Sequence, residues 1–160
     1  MPSFDEHIAQ YKKNLRILEN VNEKIADSFD WQVTICFYSA VHLINSHLSK
    51  NNLQYRNHKD VEYAINYQNP LSITKLPEQE YIAYERLFVL SRRSRYLVES
   101  KDRSLYSEKA RQTYERHLAN SIRHLDILIE YFNKAYTLGI TPIKIKCQEV
   151  NKQELKNIIT

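Results

Sequence analysis

The chain has 160 residues, a length typical of a single domain, and its one glycine and four prolines exclude a protein built mainly from strands and tight turns. The formal net charge of +4 is compatible with an anionic partner but is too small to indicate one by itself. Cys36 and Cys147 lack metal-ligand spacing, and residues 1–6 lack the pattern of a secretory leader. We therefore expect a cytoplasmic protein with reduced thiols, no metal and no cofactor.

The first predicted helix follows from apolar residues that recur at spacings of three and four between Phe4 and Ile25. Ser3 is placed to cap this helix, which we expect to end near Ala26. Asn22 is the only polar residue of the apolar seam. The pattern predicts that this seam packs against a second helix.

The second predicted helix, residues 30–49, is the most apolar stretch of the chain and is preceded by a turn in which Asp30 is the expected N-cap. Its sequence, DWQVTICFYSAVHLINSHLS, shows almost no polar face, so neighbouring elements must cover it on most sides. It is too short and too often interrupted by polar residues to cross a membrane. We predict that it is the central helix of an all-α, up-and-down bundle of four to five helices.

Two further helices are predicted after a polar loop. Asn57 is expected to cap a short helix that runs to about Tyr67, with Asp60 in the capping-box position. Pro77 is placed at the first position of the next long helix, which we expect to end near Val98.

The last long helix is predicted from Ser104 to about Ala135, because apolar residues keep the helical spacing over this stretch. Gly139 occupies the position expected for a helix-ending glycine, and Pro142 prevents continuation. We therefore divide the chain into a helical bundle, residues 1–139, and a C-terminal tail, residues 140–160.

The tail shows a short alternation of apolar and basic residues over 143–147, which predicts a strand. Asn151 is then placed to cap a last helix through Ile159. The strand has no evident partner within its own chain. We expect the tail either to lie over the bundle or to pair with another subunit.

The clearest charged feature is the segment Ser-Arg-Arg-Ser-Arg-Tyr at the end of the third long helix. Arginines hold phosphates through forked hydrogen bonds, but cations are also favoured at any helix C-terminus. A phosphate site and a solvated basic end paired with Glu99 and Asp102 therefore both stay open. The candidate ligand-binding residues of this segment are Arg92, Arg93, Arg95 and Tyr96.

Several short motifs occur in an order that resembles the HEPN superfamily, helical domains of prokaryotic toxin–antitoxin and defence systems that bind nucleotides or cleave RNA. The resembling residues are Phe37, Tyr38, Ala40 and His42 on the central helix, His58 after the loop, and Arg92, Arg95 and Tyr96 at the end of the third long helix. The resemblance covers about residues 3–136. It adds His42 and His58 to the candidate ligand-binding residues; without it, His42 is read as a buried histidine hydrogen-bonded to a neighbour.

The resemblance implies a homodimer that binds RNA, a nucleotide or a partner protein such as a nucleotidyltransferase. Because the apolar helix is too short and too interrupted to span a bilayer, we expect no association with membranes. Our leading interpretation is a non-catalytic HEPN-like module. A purely structural subunit of a defence or toxin–antitoxin complex is a further alternative.

The remaining alternative is a metal-independent endoribonuclease, because HEPN ribonucleases carry an arginine followed, after four to six residues, by a histidine. Arg111 and His117 fit that spacing, with His117 as general acid–base and Arg111 stabilising the phosphorane. Both fall within the predicted last long helix, where six positions place their side chains on different faces. The sequence therefore favours binding over cleavage.

Overall fold

The computed structural model describes residues 1–96 and 112–160, and within these ranges the chain forms five helices and a two-stranded parallel sheet. The elements are α1 (Phe4–Lys24), α2 (Phe29–Lys50), α3 (His58–Ile65), α4 (Glu78–Tyr96), α5 (Glu115–Tyr136), β1 (Ile143–Lys144) and β2 (Ile158–Ile159). The predicted all-α bundle with a short strand-bearing tail is confirmed. In the parts of the chain that the structure describes, no helix combines the length and the apolar character needed to cross a membrane.

The α2 helix lies at the centre of the bundle, where it contacts α1, α4 and α5. Phe37, Leu43 and Ile44 are fully buried in the core that these helices share. These contacts agree with the expectation that α2 is covered on most sides. One side of α2 is left open by the described helices, since Trp31 is 64% exposed and Tyr38 is 40% exposed.

The helix starts agree with the predicted caps for α1 and α3 but not for α2. Ser3 and Glu6 form a reciprocal capping box at α1, and the Asn57 side chain accepts a hydrogen bond from the backbone N–H of Asp60 at α3. The helix α2 begins at Phe29, so Asp30 lies in its first turn and is not its N-cap.

The last long helix is shorter than predicted. It begins at Glu115, and residues 112–114 are not helical, while residues 104–111 of the predicted helix lie outside the described ranges. The helix ends at Tyr136, and both Thr137 (φ 50°) and Gly139 (φ 58°) then adopt left-handed conformations. The glycine follows the helix end at the position where the chain turns toward the tail.

The tail differs most from its prediction. The strand expected over residues 143–147 is only two residues long, and it pairs in parallel with β2 of the same chain, Ile143 opposite Ile158. The helix expected over residues 151–159 is wrong, since these residues form turns and β2. The predicted strand therefore has a partner within its own chain, and it no longer indicates pairing with another subunit.

Polar side chains of α5 explain why the tail adopts this path. The buried carboxylate of Asp126 accepts hydrogen bonds from the backbone N–H groups of Lys156 (2.9 Å) and Asn157 (2.8 Å). Glu154 forms an ion pair with Arg123. A carboxylate that binds two successive backbone amides holds the segment in an open turn and prevents a helix there.

On the opposite side, α1 binds the tail through Asn22, the polar residue of its apolar seam. The side-chain oxygen of Asn22 accepts a hydrogen bond from the backbone N–H of Lys146 (2.7 Å). Its side-chain nitrogen donates to the backbone carbonyl of Lys146 (3.0 Å) and to the side-chain oxygen of Gln32 (2.8 Å). Its side chain is only 2% exposed. Asn22 is thus a buried, fully bonded anchor for the tail.

Candidate functional site

The site that the structure builds from predicted residues lies at the C-terminal end of α4 and centres on the Arg95 guanidinium. Its central carbon lies 5.7 Å from the ring centroid of Phe37, 5.7 Å from that of Tyr38 and 5.0 Å from that of Tyr96. These separations are within the range of cation–π attraction. Arg95 is therefore held against three aromatic rings.

Hydrogen bonds fix the orientation of this guanidinium. Nη1 donates to the Tyr38 hydroxyl, Nε donates to the Ser91 carbonyl, and Nη2 donates to the Ser91 hydroxyl. The donor–acceptor distance is 3.3 Å in each of the three hydrogen bonds. A guanidinium has five N–H donors, so one hydrogen on each terminal nitrogen stays available for a ligand. That pair of donors suits the two oxygens of a phosphate.

His58 and Arg92 complete the cluster on the side of α3. The His58 ring lies 5.4 Å from the Phe37 ring and 5.2 Å from the Phe88 ring, and the Arg92 guanidinium lies 5.9 Å from the Phe88 ring. Burial and then the nearby Arg95 charge lower the pKa of His58 below its ordinary value, so it is neutral at pH 7. We call this set the basic aromatic cluster: Phe37, Tyr38, His58, Phe88, Arg92, Arg95 and Tyr96.

The described residues supply no carboxylate that pairs with the arginines of the cluster. Within residues 1–96 and 112–160, no carboxylate lies within ion-pair distance of Arg92 or Arg95. Glu99 and Asp102, the carboxylates of the alternative interpretation, fall outside these ranges. The basic aromatic cluster, as far as the structure describes its surroundings, therefore carries a net positive charge.

Arg93 points to a different part of the molecule. Its Nη2 donates to the carbonyl of Gln112 (2.9 Å), just before α5, and its charge acts on His117. Residues 93 and 95 are two positions apart, so they project about 200° apart around a helix. Only Arg95 and Arg92 share the cluster.

His117 is the third residue of α5, and its Nδ1 accepts a hydrogen bond from the backbone N–H of Tyr114 (2.8 Å). Because Nδ1 is an acceptor there, the neutral imidazole carries its proton on Nε2. Burial, followed by the charges of Arg93 and Arg116, lowers the pKa of His117 to about 4. Arg111, its predicted catalytic partner, lies outside the described residues, and the two do not share one continuous helix.

His42 lies away from the cluster, toward α1. Its Nδ1 is 3.1 Å from Nδ1 of His7, so one imidazole donates to the other. Burial lowers the pKa of both rings below the ordinary value. The structure thus brings together four of the six predicted ligand-binding residues and separates His42 and Arg93 from them.

A groove that was not predicted from the sequence adjoins the cluster at Tyr38. It lies between α1 and α2, and its volume is about 310 Å³. Its lining residues are Gln10, Asn14, Ile17, Trp31, Thr34, Ile35, Tyr38 and His42. The spacing of Trp31, Ile35, Tyr38 and His42 places all four on one helical face, a signal that was present but was interpreted as core.

Two further observations limit the chemistry of the described residues. Residues 1–96 and 112–160 contain no cluster of three histidine, cysteine or carboxylate side chains that could hold a metal ion. In comparisons with known proteins, no family model matches the chain, and no curated protein or solved structure is detectably similar to it. The HEPN resemblance therefore stays a prediction that rests on short motifs.

Proposed function

We propose that the chain is a non-catalytic, HEPN-like module that binds the phosphates of RNA or of a nucleotide in a prokaryotic defence or toxin–antitoxin system. The observation that carries the proposal is the guanidinium of Arg95, which three aromatic rings and Ser91 hold in one orientation with two donors left for a ligand. An ordered guanidinium loses little side-chain entropy when it binds a phosphate.

The surrounding rings support the same ligand class. Tyr96 is 63% exposed beside Arg95, and an exposed aromatic ring next to a cation is the arrangement on which nucleobases stack. Neutral His58 adds a hydrogen-bonding group without adding charge. These residues match a ligand that carries a phosphate and a base together.

The geometry at His117 favours binding over cleavage. A general base must accept a proton, yet Nδ1 of His117 already accepts the Tyr114 N–H and Nε2 already carries the proton of the neutral ring. Protonation at Nδ1 would break the hydrogen bond that starts α5. His117 therefore fits a structural role at the helix start better than an acid–base role.

The homodimer implied by the HEPN resemblance stays a prediction. The pairing of β1 with β2 removes the unpaired strand that was the second argument for it.

The test compares binding of a fluorescein-labelled oligoadenylate by anisotropy over a range of salt concentrations. Replacing Arg92 and Arg95 by alanine should weaken binding strongly and make the salt dependence shallower, by about 0.7 in log–log slope for each lost phosphate contact. Arg95→Lys should recover only part of the affinity, because an ammonium keeps the charge and loses the fork.

The matched control replaces Lys134 and Lys156, two cations that pair with Glu130 and do not belong to the basic aromatic cluster, by alanine. It removes the same charge, and it should leave affinity nearly unchanged. No cleavage of the RNA is expected in EDTA. An equal loss of affinity in both double variants would contradict a specific site. If the wild type shows no salt-dependent binding, the structural-subunit alternative is left.

A further inference from the structure

The groove between α1 and α2 is continuous with the basic aromatic cluster through one side chain. The Tyr38 hydroxyl accepts a hydrogen bond from Arg95, and the same residue lines the groove. Trp31 also lines the groove and is two turns earlier on the same face of α2. A ligand bound at Arg95 can therefore extend directly into the groove.

The groove has the surface that nucleobases favour. Trp31 and Tyr38 present exposed rings, Ile35 lies between them, and Ile17 of α1 forms the facing wall. Apolar and aromatic surface of this kind contributes stacking energy without selecting one base, since every base has a π face.

Amide groups line the α1 side of the groove. The side-chain amide nitrogen of Gln10 donates a hydrogen bond to the side-chain oxygen Oδ1 of Asn14, at a distance of 2.9 Å. This bond orients the Asn14 amide group, whose nitrogen is a donor for the edge of a base. Unpaired bases are recognised by stacking on aromatic rings together with hydrogen bonds to their edges.

The charges near the two rings differ in sign. Arg95 donates a hydrogen bond to Tyr38, whereas Asp27 and Asp30, which are close to Trp31 in the sequence, are exposed. Phosphates are attracted to Arg95 and repelled by the two carboxylates. A strand that enters at Arg95 is therefore expected to end near Trp31.

We infer that this groove binds the bases of a nucleic-acid single strand whose phosphates lie on the basic aromatic cluster, with Tyr38 and Trp31 as stacking platforms. The inference rests on the proposed function and deepens it, because it names a single strand instead of a mononucleotide as the ligand. Seven residues of helix separate Trp31 from Tyr38 by about 10.5 Å, roughly three times the ~3.4 Å rise per nucleotide in a helical strand. We therefore expect a mononucleotide on Arg95 to leave the Trp31 ring uncovered, and a strand of several nucleotides to cover both rings.

Trp31 is the only tryptophan of the chain, so its fluorescence reports directly on the groove. We expect AMP to leave this fluorescence unchanged, and oligoadenylates of four or more nucleotides to quench it with the same midpoint as the anisotropy titration. Comparing eight-nucleotide RNA with DNA of the same base sequence shows whether the 2′-hydroxyl contributes.

The matching variant is Trp31→Ala, which should weaken binding of the eight-nucleotide strand roughly ten-fold while leaving AMP binding unchanged. Trp31→Phe keeps a stacking ring and should recover most of the affinity. The control is Tyr63→Ala, because Tyr63 is an aromatic residue of α3 with nearly the same exposure, 65% against 64%, and does not line the groove.

The outcomes separate this inference from the proposed function. Binding that depends on Arg92 and Arg95 without quenching, and without an effect of Trp31→Ala, overturns the groove and leaves the proposed function standing. Light scattering that shows a dimer in the wild type and a monomer in Trp31→Ala, with strand binding unchanged, assigns the groove to a second copy and also overturns the inference. Absence of any binding by the wild type overturns both.

Discussion

The residues that hold the C-terminal tail and the residues of the basic aromatic cluster both include polar and charged side chains, but these side chains bind different groups. Beside the tail, Asp126 of α5 and Asn22 of α1 are buried and bind backbone amides of the tail that would otherwise lack partners. In the cluster, Arg95 binds rings and hydroxyl groups and keeps two donors. Polar groups of the first kind stabilise the fold, and those of the second kind are available to a ligand.

The comparison shows which kinds of charge indicate function. The number of charged residues does not distinguish the surroundings of the tail from the cluster. Arg123, which contacts the tail, and Arg95 of the cluster are both arginines on long helices. Their partners do separate them, because Arg123 lies against the carboxylate of Glu154 and Arg95 has no described carboxylate partner. A cation without a counter-ion, held on an aromatic surface, is the stronger sign of a binding site.

Phe37→Ala should have the largest effect, because Phe37 belongs both to the core and to the cluster. Its ring is fully buried and also lies beneath Arg95 and His58. Emptying a buried aromatic site should lower the free energy of unfolding by about 3–5 kcal/mol. Urea denaturation measures this loss.

Phe37→Leu keeps most of the apolar volume and serves as the milder variant. It should remain folded while losing part of the affinity for oligoadenylate, since the ring under Arg95 is gone. A melting temperature unchanged by Phe37→Ala would contradict the central position of α2.

Asp126→Ala should have the next largest effect, and it should act on the tail alone. Losing a carboxylate that accepts two backbone N–H groups should cost about 1.5–3 kcal/mol of unfolding free energy. Asp126→Asn keeps one carbonyl oxygen and should cost less. Hydrogen exchange at residues 156 and 157 measures the release of the tail, and oligoadenylate affinity should not change; a clear loss of affinity would show that the two regions are coupled.

A smaller effect is expected at acid pH, because burial lowers the pKa of all six histidines below the ordinary value. The unfolded chain then binds more protons than the folded one below about pH 6.5, so stability should fall as the pH falls from 6.5 toward 4. His117, with a pKa of about 4, should contribute over most of that window.

His117→Gln isolates this contribution, since glutamine at the third helix position also accepts a hydrogen bond from the preceding backbone N–H. The variant should match the wild type in urea midpoint at pH 7.5 and exceed it at pH 5. A variant less stable than the wild type at pH 5 would contradict the assignment. Unchanged oligoadenylate binding is expected at both pH values.

The helices near the start of the chain could be predicted because local chemistry determines them. Ser3 and Asn57 were recognisable as caps from residue type and position alone. The separation of Arg93 from Arg95 was also implicit, because 100° per residue fixes the directions of their side chains. Local periodicity is sufficient for features of this kind.

Long-range contacts explain what could not be predicted. Leu155, Ile158 and Ile159 have helical spacing after Asn151, but Asp126 and the pairing with β1 impose an extended path. Likewise, the apolar character of Trp31 could not show that none of the described helices covers it. Both features depend on residues that are far away in the sequence.

The attachment of the tail also bears on the order in which the chain folds. The hydrogen bonds between Asn22 and Lys146 join positions that are 124 residues apart, and those of Asp126 require α5 to be in place. Closing so long a loop is entropically costly until the helices have packed, so docking of the tail should follow the rate-limiting step. Substitutions at Asn22 and Asp126 should accordingly speed unfolding and hardly slow refolding, so the contacts that hold residues 140–160 control the kinetic lifetime of the native protein.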